Sequence, residues 1–314
     1  MIWEEIRRVS PNLRRPGIQV VRVPFPVVPT VASSAAEGYR LGLACGETVD
    51  AWTRLLPRNS LGQTDFSWVG PPFEEFAVIS SHDEDGCIFV TSYTQAEVEL
   101  KRTKAGLDLG GTYWDSGSSW SFQVDVLIRG KKSPFNLVSC DLVAIFPDGS
   151  SAVPSNHADM TRRALAGRAV ELGVGTARLL DEVGEDDAGL SSHDGMTQAA
   201  TYAALGTMAL LSCKNVALER ATASRQQRRQ AERAGLPLVS WHELVIKSSS
   251  VRRDHVNAQD HGESLALHWV RGHFKDYREH GLFGQAKGIY WWSPHLAGKA
   301  DRVVFKDYVI PGQP

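Results

Sequence analysis

A chain of 314 residues can bury a full hydrophobic core, and its length fits one large domain or two modest ones. Hydrophobic residues make up 42% and charged residues 22%, an ordinary globular balance, and no apolar run approaches the roughly 20 residues of a membrane-spanning helix. The net charge of -2 conceals an acidic front and a basic back. From Ala223 onward there are 14 Lys/Arg against 9 Asp/Glu, and before it 20 against 27. That asymmetry suggests that the C-terminal part meets an anionic partner such as RNA, DNA or an acidic protein surface, with a solvated basic face as the alternative.

In chain order, the opening MIWEEIRRVS lacks the apolar core and small-residue cleavage site of a secretory signal, so a cytoplasmic location is expected. Val21 to Val31 is rich in proline and valine and reads as extended. Ser33 to Leu56 has helical spacing and is stopped by Pro57. Phe76–Ile79 and Cys87–Val90 flank an Asp-Gly turn and predict a hairpin. Ser121 to Arg129 alternates apolar and polar residues. Leu137 to Phe146 is apolar on both faces and closes on the turn triplet Pro147-Asp148-Gly149. Cys45, Cys87, Cys140 and Cys213 are scattered without a CxxC pair, which disfavours a zinc site or disulfide framework and reads as small buried hydrophobes.

The middle is helical: Ala158–Asp181 and Asp194–Val216 are separated by an acidic loop, Glu182 to Gly189. Ser224–Arg233 (SRQQRRQAER) predicts a short exposed helix or linker ending at Gly235. Four strand candidates follow: Leu238–Lys247, Leu265–Tyr277, Gly288–Trp292 and Val303–Ile310. Strands, then helices, then strands predict an α+β fold rather than a doubly wound sheet. The expected organisation is an N-terminal, mainly antiparallel sheet with packed helices over residues 1–157 and central helices over 158–222. A basic linker helix and a C-terminal antiparallel β module fill 223–314.

Common cofactor and metal motifs are not met. Gly173-x-Gly175 lies in a helical pattern, follows no strand and lacks the third glycine of a dinucleotide loop; His242-Glu243 lacks the second histidine of a zinc protease. No serine sits in a G-x-S-x-G elbow. Neither a cofactor nor a metal is expected.

The run LALHWVRGHFKDY is more informative. Read as one strand, it puts Trp269, Arg271, His273, Lys275 and Tyr277 on one face, about 7 Å apart, and Ala266, His268, Val270, Gly272 and Phe274 on the other. Arg and Lys suit phosphates, and Trp and Tyr suit stacking on bases. Lys306 and Tyr308 share a face of the last strand, and Arg225, Arg228 and Arg229 (with Arg233) offer phosphate contacts on the linker helix. The candidate nucleic-acid-binding residues are therefore Trp269, Arg271, His273, Lys275, Tyr277, Lys306, Arg225, Arg228 and Arg229. An ordinary exposed strand and a solvated linker helix are the alternatives. His, Lys, Arg and Tyr are also the residue set of metal-independent ribonucleases, with His273 and Tyr308 as catalytic candidates.

The segments Leu210–Val216, Leu238–His242 and Val270–Phe274 resemble a group of phage and mobile-element proteins. In these an apolar helix ends in Cys-Lys-Asn-Val, followed by a basic linker and a strand carrying Arg-Gly-His. The C-terminal Arg-Gly-His region is also similar to that of type V-A anti-CRISPR proteins acting on CRISPR nuclease biogenesis. The resemblance implies a phage accessory protein that regulates gene expression in the cytoplasm of a bacterial host. Its expected partners are RNA or the ribosome and a host or nascent protein, with no membrane contact. A ribonuclease using His273 and a structural, virion-associated protein are the other readings.

Overall fold

The computed structural model describes residues 2–15, 17–24, 49–60, 62–80, 86–94, 97, 119–129, 135–152, 166–176, 187–233, 235, 240–247, 266–282, 284–297 and 299–303. The fold is α+β, and the chain divides into two compact units. One comprises Met1–Ser212 with Val216–Val245, the other Cys213–Asn215 with Ile246–Pro314. Among the described residues no helix is long and apolar enough to cross a membrane.

The first unit begins with helix α1 (Ile2–Val9), which carries Glu4 and Glu5 in its first turn and Arg7 and Arg8 in its last, matching the helix dipole. Its end is closed by Arg14, whose Nε and Nη2 groups donate to the carbonyls of Arg7 and Arg8 at 2.7 and 2.6 Å. Trp3 and Ile6 are buried against the sheet.

That sheet has nine strands. Five run as an antiparallel meander: β2 (Glu75–Ser80), β3 (Gly86–Tyr93), β4 (Trp120–Ile128), β5 (Asn136–Ile145) and β6 (Ser151–Ala152). The hairpin expected from Phe76–Ile79 and Cys87–Val90 forms, with Phe76 opposite Val90; its turn, 81–85, lies outside the described residues. Strand β1 (Gln19–Val23) runs parallel to β2 and, on its other side, parallel to β9 (Trp241–Ile246), beyond which lies β8 (Val216–Ala221). Strand β9 falls within the segment read from sequence as the first strand of the C-terminal module. It belongs to the large sheet instead.

Strand alternation gives the sheet two faces, and both are covered. On one, Ala77, Ile79, Cys87, Phe89, Leu127 and Leu137 pack with Trp3, Ile6, Ala169 and Leu172. The alternate residues, among them Phe76, Val78, Ile88, Val90, Phe122 and Val124, are equally buried. Helix α2 (Asp187–Ser212) touches β3, β4 and β5 and buries Ala199, Ala203, Leu205 and Met208. A Cβ at Gly206 of α2 would fall 2.5 Å from the Trp52 ring, so only glycine lets helical residues 49–55 approach this closely.

Two helix expectations need correction. The predicted helix Ala158–Asp181 ends at residue 172. Gly173 then turns at a φ of 68°, and β7 (Gly175–Thr176) pairs parallel with β5. Ser10 Oγ donates to the Leu172 carbonyl and Asn12 Nδ2 to the Glu171 carbonyl, so the turn after α1 closes this short helix. Helix α2 begins at Asp187, inside the predicted loop, and stops at Ser212 rather than Val216. Helix α3 (Arg225–Arg233) forms as expected and is followed by Gly235 at a φ of 64°.

The second unit holds two small sheets. One orders β13 (His295–Ala297), β10 (Ala266–Val270) and β14 (Lys299–Val303), with β10–β13 antiparallel and β10–β14 parallel. The other pairs β11 (His273–Asp276) with β12 (Ile289–Trp292) antiparallel. The single strand predicted over Leu265–Tyr277 is therefore two, broken at Arg271-Gly272 and divided between sheets.

Candidate nucleic-acid interface

The β11–β12 hairpin positions the candidate site. Its register sets His273 opposite Trp292, Phe274 opposite Trp291, Lys275 opposite Tyr290 and Asp276 opposite Ile289. One face is packed. Phe274 and Ile289 are 9% and 4% exposed, and the Phe274 and Trp291 rings meet edge to face at 4.9 Å. Gly272 lies against the same tryptophan. A Cβ there would stand 2.6 Å from the ring and 3.0 Å from Pro294 Cδ. The sterics of Trp291 explain the glycine and place the Arg-Gly-His break where two sheets part.

The other face carries His273, Lys275, Tyr290 and Trp292, all half-buried. Tyr277, just past β11, joins them through its edge contact with Tyr290 at 5.9 Å, and its N–H donates to the Gly288 carbonyl at 2.9 Å. Lys275 Nζ stands 4.0 Å from the centre of the Trp292 ring, a cation–π contact across the strands. His273 Nδ1 lies 3.0 Å from the Arg271 carbonyl. A carbonyl only accepts, so Nδ1 carries the hydrogen and Nε2 the lone pair of the neutral ring.

Residues 213–215 fix the far edge of this hairpin. The Asn215 side-chain amide donates to the Trp291 carbonyl at 2.7 Å and accepts the Trp291 N–H at 2.9 Å, while Lys214 N–H donates to the Ile289 carbonyl. The Lys214 stem runs against Gly288, where a Cβ would fall 2.7 Å from Cγ and φ is 138°. The Cys-Lys-Asn segment and the Arg-Gly-His strand thus meet around Trp291. At the start of the connecting turn, Arg278 pairs with Asp276 at 2.6 Å and holds that carboxyl below the usual range, chiefly by hydrogen bonding.

Of the residues named from sequence, His273, Lys275 and Tyr277 share the expected face. Arg271 is exposed in the break between β10 and β11, and Trp269 sits in β10, paired with Leu296 in the other sheet. The five-residue single-strand face is therefore corrected: the chain turns at Gly272 and divides it. Lys306 and Tyr308 lie outside the described residues. Arg225, Arg228 and Arg229 are exposed on α3, in the first unit. For the ribonuclease reading, the polar partner recorded for His273 among the described residues is a backbone carbonyl, not a second acid–base group. Sequence reasoning left Tyr290 and Trp292 unassigned to this face, although the alternation of Tyr290-Trp291-Trp292 carries that signal.

The first unit holds a second polar feature, a cleft of about 580 Å³ lined by residues including Thr91, Tyr93, Glu97, Arg168 and Glu171. At its floor Arg168 donates from Nε and Nη2 to Asp125 at 2.9 and 2.7 Å, from Nη2 to Thr91 at 3.1 Å and from Nη1 to Glu171 at 2.8 Å. Gln123 holds the other Asp125 oxygen at 2.9 Å and accepts from the Tyr93 hydroxyl at 3.1 Å. The side chains of Arg168 and Asp125 are 10% and 0% exposed. Burial opposes the Arg168 charge, but Asp125 outweighs it and raises the pKa, while burial raises that of Tyr93. These charges satisfy one another, so the network braces helical residues 166–172 on the sheet. Among the described residues no three His, Cys, Asp or Glu side chains converge as metal ligands. Comparison with protein-family models, with curated proteins and with solved structures returns no match to this chain.

Proposed function

We propose that this protein is a nucleic-acid-binding regulator that holds single-stranded RNA on the open face of its C-terminal hairpin. One observation carries the reading: His273, Lys275, Tyr277, Tyr290 and Trp292 stand on one face of a two-stranded ribbon whose other face buries Phe274 and Ile289. Large rings left half-exposed offer π-faces to bases, each stacked base contributing about 1–3 kcal/mol. The Lys275 ammonium and the nearby Arg271 guanidinium supply charge for the phosphates. Duplex RNA keeps its base faces stacked internally, which favours a single strand. The resemblance to phage and mobile-element proteins supplies the setting, regulation of gene expression in a bacterial host.

Fluorescence anisotropy with labelled single-stranded and duplex RNA tests the reading. Single strands are expected to bind more tightly, with Trp292→Ala and Tyr290→Ala each weakening binding about ten-fold. The reading fails if Arg271→Ala with Lys275→Ala leaves RNA binding unchanged and the purified protein carries no nucleic acid.

A further inference from the structure

Helix α3 is built almost wholly from polar residues, RQQRRQAER. Arg, Gln, Ala and Glu are good helix formers, so local propensity favours the helix. Arg225, Gln226, Arg228, Arg229, Glu232 and Arg233 are all exposed. Electrostatics is divided: Arg233 in the last turn suits the helix dipole and Glu232 stands at i+3 and i+4 from Arg229 and Arg228, but a row of like charges opposes the helix. Arg225, Arg229 and Arg233 stand at i, i+4 and i+8, a row of like charges about 6 Å per step. Each such neighbour pair destabilises a helix by about 0.2–0.5 kcal/mol. The first turn has no acidic residue, and Arg225 opens the helix where its dipole is already positive.

Elsewhere among the described residues Arg15, Arg22, Arg54, Arg129, Arg168 and Arg278 each meet a carboxylate. No such partner is recorded among the described residues for Arg225, Arg229 or Arg233. These three, with Gln226, line one depression of about 420 Å³, whereas Arg228 is not among its lining residues.

We infer that Arg225, Arg229 and Arg233 form a phosphate-binding row for the backbone of an RNA strand. A row about 12 Å long is too extended for one phosphate and suits a polyanionic chain. Each guanidinium offers a planar fork that matches phosphate oxygens, and an anion along the row relieves the repulsion within it. The identity of the polyanion rests on the reading of the protein as RNA-binding; the row itself is a separate contact in the first unit. It reads charge rather than sequence.

The two contacts have different salt signatures, and the test uses this in the full chain. RNA affinity is measured across a salt series for the wild type, for the triple variant Arg225→Gln/Arg229→Gln/Arg233→Gln, for Trp292→Ala and for Arg54→Gln as a charge control. Losing three phosphate contacts should lower the slope of log K against log salt by about 2, at about 0.7 per contact for a single strand. Trp292→Ala should weaken binding with little change in slope, and Arg54→Gln should change neither. Replacing all three arginines with lysine should preserve most of the slope while lowering affinity, which separates loss of charge from loss of the helix. An unchanged slope in the glutamine triple variant overturns the row, whatever Trp292→Ala does. If poly-glutamate, and not RNA, loses binding in that variant, the row serves an acidic protein surface and the inference is likewise overturned. Wild-type protein that binds no RNA at any salt overturns both readings.

Discussion

The two units solve the problem of stability differently. The first buries a nine-stranded sheet on both faces, with Phe76, Phe89 and Phe122 fully enclosed. Among the described residues of the second, Cys213, Phe274 and Ile289 are the buried apolar side chains, and Tyr277, Tyr290, Trp291 and Trp292 stay half-exposed. Side-chain and backbone contacts from Lys214 and Asn215 to Ile289 and Trp291 hold the hairpin in place. Stability by enclosed volume leaves the two faces of the large sheet no surface for a partner. Stability by a few directed contacts leaves one face of large rings available, and that is where binding is proposed.

The contrast can be tested, starting with the largest expected effect. Arg168→Ala should destabilise the first unit by about 3–5 kcal/mol in denaturant unfolding, because it leaves Asp125 buried without its partner. Pairing it with Asp125→Leu should recover much of that loss; if the double variant is no better, the ion pair is not the source. RNA affinity of folded protein should not change in either.

Gly272→Ala acts on the other unit. The added methyl meets Trp291, and overpacking of this kind costs about 1–3 kcal/mol. Tryptophan fluorescence and RNA binding should change while α2 and the large sheet keep their hydrogen-exchange protection. Asn215→Ala removes two hydrogen bonds to Trp291, worth about 1–2 kcal/mol together, and should raise exchange at the Trp291 amide. Equal effects on both units would erase the proposed difference between them.

The last test is alkaline stability. Burial pushes the Cys213 thiol from 9.0 up to about 12. The folded state then holds the proton more tightly than the unfolded chain. Its contribution is complete below about pH 9 and is lost as pH rises toward 12. The thermal midpoint should fall across that window, and Cys213→Ala should flatten part of the fall. Cys87 and Tyr93, raised mainly by burial in the first unit, should retain the remainder.

The meander was legible because each strand carries its own signal: apolar runs at Phe76–Ile79 and Cys87–Val90, alternation at Ser121–Arg129 and a turn triplet after Phe146. The parallel placement of β9 beside β1 joins residues more than 200 positions apart, and no local pattern encodes such a pairing. At the candidate site, period-2 alternation gave the shared face of His273, Lys275 and Tyr277. It missed the break before them, which depends on the Trp291 ring packed on Gly272. Asp125 did carry a signal. A carboxylate among apolar neighbours in a strand asks for a buried cation, but sequence alone did not say that Arg168 would supply it.

A two-stranded ribbon has exposed edges, and an exposed edge is a template for strands from other molecules. Along β12 that hazard is met by a side chain. The Asn215 amide offers Trp291 one donor and one acceptor, the same pair that a neighbouring backbone would offer, and Lys214 occupies the Ile289 carbonyl. A single asparagine therefore plays the part of an extra strand. Copies of the protein can come close together without this edge joining them into a growing β stack.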